Sequence, residues 1–188
     1  ANDGFGTAMA GGDFDGDGAA DLAVGVPGFQ SANGDPVGGI IIYYGSGNAG
    51  PAAQVVQRIE GVATSGLGGM LAAADFDGDG IDDLITGERN GVVKVWWGVP
   101  LPGRVGDSGF HTIGQPIAGL SQIVALGDVD GDEAEDVALV GQRVEPCPGG
   151  NGDAGGVFIA PGTMPRPAAP AQPVPLAPRT LTNDVCDC

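Results

Sequence analysis

The chain has 188 residues, and its 37 glycines and 15 prolines exclude a fold built from long helices. A hydrophobic fraction of 42% argues against a disordered chain, which would be poor in valine, isoleucine and leucine. The formal net charge is −17 with seven basic residues, which excludes nucleic-acid binding because that depends on clustered lysine and arginine. No apolar stretch approaches the roughly 20 residues that span a bilayer, so we expect no membrane insertion.

The predicted elements begin with a small, apolar run at residues 7–12, which leads into an acidic loop. Strands are then predicted at 22–26, 39–44 and 54–60, because short runs of β-branched and aromatic residues bounded by glycine are typical of strands. The first unit, residues 1–62, is therefore predicted to be a small four-stranded antiparallel sheet.

The same order of elements recurs twice further along the chain. In the second unit, residues 63–115, strands are predicted at 69–74, 84–86, 92–97 and 110–113. In the third unit, residues 116–163, strands are predicted at 122–127, 137–140 and 157–160, with 179–182 as a candidate fourth strand. Such self-similarity indicates a repeat architecture, because one unit cannot bury its hydrophobic face alone.

The C-terminal residues 164–188 are predicted to form an extended, Pro-rich arm that carries a Cys-x-Cys sequence. Cys186 and Cys188 are too closely spaced for an easy mutual bridge. We therefore expect Cys147 to pair with one of them, leaving the other free or bound to a neighbouring chain. A zinc site is the competing interpretation of the three cysteines.

An acidic nine-residue pattern fills the loop between the first two strands of every unit. Aspartates stand at the first, third, fifth and ninth positions, and these carboxylates would repel one another without a cation. With a backbone carbonyl from the seventh position they supply about six or seven oxygens, which suits Ca²⁺. The predicted ligands are Asp13, Asp15, Asp17, Ala19 and Asp21; Asp75, Asp77, Asp79, Ile81 and Asp83; and Asp128, Asp130, Asp132, Ala134 and Asp136.

The third loop departs from the other two at its sixth position. Gly18 and Gly80 stand there in the first two loops, where tight turning requires a positive φ. The third loop has Glu133, and a left-handed conformation costs a non-glycine residue about 1 kcal/mol or more. We therefore expect the third site to bind a cation more weakly.

Two other interpretations of the acidic loops compete with a calcium site in a β-hairpin. Helix–loop–helix calcium motifs begin similarly, but glycine and proline follow Asp21 and Asp83 too early for two helical turns. A simple solvated turn can also be acidic, but three matched copies favour a metal site.

These residues resemble FG-GAP repeats, the units of the integrin α-subunit β-propeller and of many bacterial surface proteins. The first repeat matches at Phe5-Gly6, at 21–27 and at 38–43, while the second has Leu67-Gly68 in place of the opening pair. The resemblance covers about residues 5–162. It implies an all-β fold of propeller-like blades, with up to three structural Ca²⁺ ions in the hairpin loops.

Only three repeats are visible, whereas propellers close with about 4 to 8 blades. The chain is therefore expected to be a fragment of a longer propeller, a partial propeller completed by neighbouring copies, or a compact arrangement of another kind. Because uncovered blades favour self-association, we expect a head-to-tail oligomer or fibre. The expected role is that of a calcium-stabilised structural or adhesive protein, located extracellularly or at the cell surface.

Catalysis is not expected, because His111 is the only histidine and no serine or cysteine has an evident partner base. Trp96 and Trp97 are adjacent in a strand, so their side chains should point to opposite faces. Ordinary packing is the favoured interpretation of both side chains. Sugar stacking on one of them gives the alternative function, a carbohydrate- or protein-binding propeller module of a larger secreted protein. A start at Ala1 without a signal peptide is compatible with a processed secreted protein.

Overall fold

The computed structural model describes residues 3–46, 55–144, 154–163 and 180–181. These residues form β-strands and no α-helix, and they include no helix with the length and apolar character needed to cross a membrane. The strands are β1 (Met9–Gly12), β2 (Asp21–Val26), β3 (Gly39–Tyr44), β4 (Val55–Glu60), β5 (Met70–Ala74), β6 (Asp83–Gly87), β7 (Val93–Trp96), β8 (Phe110–Ile113), β9 (Leu120–Gly127), β10 (Asp136–Val144), β11 (Ala154–Ala160) and β12 (Thr180–Leu181).

In the described part of the chain the strands form three antiparallel sheets, which we call blades 1, 2 and 3. Each blade contains four strands that are neighbours in sequence order: β1 to β4, β5 to β8, and β9 to β12. The candidate fourth strand of the third unit is confirmed, since β12 pairs Thr180 with Phe158 of β11. The predicted all-β class with propeller-like blades is thus confirmed.

Strand β3 shows how the sequence produces a blade. Its run of isoleucine and tyrosine suits a pleated surface, on which successive side chains point to opposite sides. Ile40, Ile42 and Tyr44 are buried on one side of the sheet, whereas Ile41 and Tyr43 on the other side are only half-buried. Blade 1 therefore has one covered side and one partly open side.

Blade 2 lies between blades 1 and 3 and is covered on both sides. The side that carries Leu84, which we call face A, shares a hydrophobic core with Ile40 and Ile42 of blade 1. The opposite side, face B, carries Ile85 and shares a second core with Leu139 of blade 3. This double covering explains why β6 is buried along its whole length instead of alternating between buried and exposed residues.

The face labels extend to the other two blades through equivalent loop positions. Leu22, Leu84 and Val137 each follow the ninth residue of an acidic loop, so each lies on face A of its blade. Face A of blade 2 covers face B of blade 1, and face A of blade 3 covers face B of blade 2. Within the described residues, no blade covers face A of blade 1 or face B of blade 3.

The first strands of the blades lie side by side, since β5 contacts both β1 and β9. This radial arrangement brings the three β-hairpin loops, residues 13–20, 75–82 and 128–135, to one end of the structure. The second residues of the first two loops, Phe14 and Phe76, are 0% and 2% exposed. Full burial of such a side chain contributes about 2 to 3 kcal/mol, so the loops are anchored between the blades.

Candidate metal centres

Clusters of carboxylates occupy the three hairpin loops, between the first and second strands of each blade. In the first loop, oxygens of Asp13, Asp15 and Asp17 lie within 4.8 Å of one another. The second loop brings together Asp75, Asp77 and Asp79 in the same way, and the third brings together Asp128, Asp130 and Asp136. The predicted ligands at the first and third positions therefore converge in all three loops.

Hydrogen bonds from the backbone wrap each loop around its first aspartate. Asp13 accepts from the N–H of Asp17 at 3.1 Å and from that of Gly18 at 2.9 Å. Asp75 accepts equivalent bonds from Asp79 and Gly80, at 3.0 and 2.9 Å. Gly18 has a φ of 82°, the left-handed conformation for which glycine is suited. The loops thus hold their carboxylates together through local backbone geometry.

The third residue of the first loop has a carboxylate oxygen with no hydrogen-bond partner. Asp15 is 4% exposed, and its buried Oδ1 accepts no hydrogen bond from any described residue. Burial raises the pKa of Asp15 above its ordinary value, and the nearby carboxylates of Asp17 and Asp13 raise it further. An ionised carboxylate so placed is costly unless it is paired or binds a metal. The residues present therefore fit a hard cation.

The ninth aspartate joins each loop to the end of the third strand. Asp21 accepts from the N–H of Phe14 at 2.8 Å and from that of Gly45, just after β3, at 2.7 Å. The equivalent donors are Phe76 and Gly98 for Asp83, and Val129 and Gly162 for Asp136. A carboxylate offers about four lone-pair sites, so these bonds leave capacity for a cation. The ligand role of the ninth aspartates stays a prediction, and the first two clusters do not include Asp21 or Asp83. Their structural role was not predicted from the sequence.

Burial dominates the electrostatics of Asp21. It raises the pKa of this carboxyl to about 6, although the Gly45 and Phe14 N–H groups act in the opposite direction. The carboxylates of Asp15 and Asp13 add to the increase. The first loop therefore holds a concentrated negative charge that a divalent cation would stabilise.

Local hydrogen bonds hold the seventh residue of each loop, whose carbonyl was predicted to act as a ligand. The N–H groups of Ala19, Ile81 and Ala134 donate to the fifth aspartate of their loops, at 2.7, 3.0 and 3.0 Å. These bonds fix the turn at the seventh position. The role of the three carbonyl oxygens remains a prediction.

The third loop differs from the others in exposure and in its internal bonds. Glu133 has a φ of 75°, the left-handed conformation expected where the other loops have glycine. Asp128 accepts from the N–H groups of Gly131, Asp132 and Glu133, and this lowers the pKa of its exposed carboxyl. The carboxylate of Asp132 is not part of the third cluster, although it accepts from the Ala134 N–H as the fifth aspartates of the other loops accept from theirs. Weaker cation binding here stays a prediction.

Neighbouring loops are joined by a reciprocal pair of hydrogen bonds, which we call the clasp. Asp82, at the eighth position of the second loop, accepts from the Asp13 N–H at 2.7 Å, and its own N–H donates to the Asp13 carbonyl at 3.0 Å. Glu135 forms the same pair with Asp75, at 3.1 and 2.8 Å. The signal for these residues is an acid at the eighth position, which we did not assign from the sequence.

The two tryptophans lie on opposite faces of blade 2. Trp97 is 4% exposed within the core shared with blade 3, and Trp96 packs against the core shared with blade 1. The Trp96 indole N–H donates to Thr86 Oγ1 at 3.1 Å, and its ring lies 4.8 Å from that of Phe110. Both tryptophans therefore contribute to packing, because both faces of this blade are covered.

The remaining candidate residues have no role in the clusters. His111 is 2% exposed in β8, and neither ring nitrogen has a hydrogen-bond partner among the described residues. Cys147, Cys186 and Cys188 lie outside the described residues, so their pairing stays a prediction.

The blades and their acidic hairpin loops define a propeller-like, all-β repeat protein. A family model for the FG-GAP repeat matches residues 5–50, and a model for the FG-GAP-like repeat matches residues 75–139. The chain therefore belongs to the FG-GAP repeat proteins, as its sequence motifs predicted. FG-GAP repeats commonly bind calcium, and they occur in extracellular or surface proteins.

The chain is also similar to phosphatidylinositol-glycan-specific phospholipase D from three mammals. The rat protein is 30% identical over an alignment of 180 residues, which covers 86% of this chain and 21% of that protein. The mouse protein is 30% identical over an alignment of 151 residues, which covers 72% of this chain and 18% of that protein. The human protein is 30% identical over an alignment of 173 residues, which covers 83% of this chain and 20% of that protein. The chain thus spans about a fifth of the length of these relatives.

Proposed function

We propose that this chain is a calcium-stabilised structural or adhesive module of an extracellular or cell-surface protein. The observation that carries the proposal is the buried Asp15 Oδ1, which has no hydrogen-bond partner within a cluster of three carboxylates. A buried carboxylate oxygen without a donor, beside two like-charged neighbours, is stabilised by a bound cation. Oxygen-only donors favour a hard ion such as Ca²⁺ over zinc or copper.

A bound ion would act on the fold through the hairpin loops. It supplies the positive charge that offsets repulsion among the aspartates of each loop. Asp21 ties the first loop to the end of β3, and Asp82 ties it to the second loop. An ordered loop therefore holds the strands of its own blade and the neighbouring blade in place, which suits a rigid extracellular module.

Calorimetric titration of the chain with calcium tests this proposal. Asp15→Asn removes the charge of the buried carboxylate, and we expect it to weaken binding at the first loop by about tenfold or more. Asp35→Asn is the matched control, because Asp35 is exposed in the connection between β2 and β3, outside the acidic loops. The proposal fails if the unsubstituted chain binds no calcium, or if both variants bind it equally well.

A module within a larger protein is the second candidate, and the comparisons favour it because the relatives are about five times longer than the matched segment. Such a module would present its loops to a protein or a carbohydrate. Trp96 does not favour the carbohydrate version, since its ring packs on Phe110 and its N–H is already bonded to Thr86. A glycan array probed with the calcium-loaded chain separates the two versions.

We also propose that the chain has no catalytic activity of its own. The relatives are named as phospholipases D, and the matched segment is about a fifth of each of them. The acidic loops have their carboxylates engaged in backbone hydrogen bonds, and His111 is buried at 2% exposure. Turnover of a phosphatidylinositol-glycan substrate by the purified chain would overturn this proposal.

A further inference from the structure

The two outer faces of the blade array expose apolar side chains that are buried elsewhere in the same array. Phe5 precedes the first loop by the same distance as Leu67 precedes the second, yet Phe5 is 55% exposed and Leu67 is 1% exposed. Leu22 is 41% exposed, whereas its equivalent Leu84 is fully buried against blade 1. Face A of blade 1 thus has the residues of a blade interface without a covering blade.

Face B of blade 3 is the other uncovered face, and it also exposes apolar side chains. Val129 occupies the second position of the third loop and is 56% exposed. The equivalent Phe14 and Phe76 are 0% and 2% exposed, because each is covered by the blade that follows. Val124 of β9, which pairs with Ala138 on the same face, is 38% exposed.

The backbone carbonyl at the second position of each loop also differs between the two covered loops and the uncovered third loop. The carbonyl of Phe14 accepts from the N–H of Val99 in blade 2, at 3.3 Å. The carbonyl of Phe76 accepts from Thr163, which follows β11 of blade 3, at 2.8 Å. The third loop offers the equivalent carbonyl at Val129. Face B of blade 3 therefore presents polar as well as apolar groups that match a following blade.

We propose that face B of blade 3 binds face A of blade 1 in a second copy of this chain. The argument is continuity with the two interfaces within the chain, in each of which a face A covers the face B of the preceding blade. One chain carries both halves of this interface at opposite ends. The contact is head to tail, so successive copies form a ring or an open filament. The inference rests on the proposed function, since the loops at the interface are those that would hold calcium.

The interface between two copies lacks the side-chain hydrogen bond of the clasp, which both interfaces within the chain have. Asp82 and Glu135 form the clasps between successive blades, but the equivalent residue of blade 1 is Ala20, which is exposed. A second copy therefore docks without a carboxylate to accept the hydrogen bond from the Asp128 N–H, the bond that the equivalent N–H groups of the first two loops donate. The intermolecular contact is consequently weaker than the contacts within the chain and depends on protein concentration.

Two substitutions that introduce a charge test whether the contact joins face A of one copy to face B of another. Phe5→Glu blocks face A and Val124→Glu blocks face B, and both side chains are exposed enough for the fold to be retained. Light scattering with calcium should show that the unsubstituted chain associates and that each variant remains at the 18.5 kDa of a monomer. An equimolar mixture of the two variants retains one intact interface and should form dimers only.

The proposal is overturned if the unsubstituted chain is a monomer at all concentrations, if either variant still associates, or if the mixture forms no dimer. A third substitution, Ala20→Glu, restores the missing carboxylate and should strengthen association by about tenfold or more. Ala20→Leu is its control and should give no such gain. Equal association of these two variants would contradict the proposed register.

Calcium titration of the same samples separates this inference from the proposed function. Calcium binding without association refutes the head-to-tail contact and leaves the calcium proposal intact. Association that persists without any calcium binding refutes the calcium proposal and leaves the head-to-tail contact intact.

Discussion

The clasp between the first two loops gives the sharpest test of how the blades are joined. Replacing Asp82 with alanine removes the carboxylate that accepts the Asp13 N–H at 2.7 Å, and the site is partly buried. The reciprocal backbone bond, from the Asp82 N–H to the Asp13 carbonyl, is unaffected by the substitution. The perturbation therefore removes one charge-assisted hydrogen bond and little else.

The expected cost of Asp82→Ala follows from that single bond. Hydrogen bonds to charged groups contribute about 1.5 to 3 kcal/mol, so we expect a loss of about 2 kcal/mol in the free energy of unfolding. For a chain of this size the loss corresponds to a decrease of about 4 to 8 °C in Tm. Saturating calcium should be present, because removal of one negative charge near uncompensated aspartates would otherwise offset part of the loss.

Urea unfolding monitored by tryptophan fluorescence measures this change. Asp82→Asn is the matched variant, because it keeps an acceptor oxygen and loses the charge, and its effect should be about half that of alanine. If the alanine variant lost less than about 0.5 kcal/mol, the effect expected of an ordinary surface position, the clasp would not join the blades.

Two further predictions concern buried ionisable groups of blade 2. The Lys94 ammonium pairs with Glu88, whose side chain is 3% exposed. Lys94→Met should therefore lower the free energy of unfolding by about 3 to 5 kcal/mol, because it leaves a buried charge unpaired. Urea unfolding measures this change, and a loss below about 1 kcal/mol would contradict the prediction. Burial lowers the pKa of His111 below its ordinary 6.5, so in acid the unfolded state binds the proton first and stability falls as the pH drops below that value. His111→Phe should remove this part of the pH dependence, and identical midpoints against pH for the two proteins would refute the assignment.

The sequence predicted the strands and the acidic loops because both depend on local signals. Glycine and proline mark the ends of runs such as Gly39–Tyr44, and the spacing of Asp13, Asp15 and Asp17 leaves few ways to arrange their side chains. Even the short strand β12 followed from a few residues bounded by a Pro-rich stretch. These features require no knowledge of what lies next to each blade.

Features that arise between blades could not be predicted in this way. Asp82 and Glu135 had no assigned role in the sequence, and their role appears only when one loop lies beside the next. Packing was the favoured interpretation of the two tryptophans, but the sequence could not show that blade 1 covers the face that carries Trp96. The third loop is the intermediate case, because the sequence indicated a strained, left-handed Glu133 but not the separation of Asp132 from the cluster.

Thermal unfolding with calcium and with excess chelator tests the central claim most directly. Calcium that binds the folded loops and not the unfolded chain adds about 2.7 kcal/mol per site at a hundredfold excess over Kd. We therefore expect chelation to lower Tm by at least about 5 °C, and re-addition of calcium to restore it. Identical melting curves in calcium and in chelator would contradict the account.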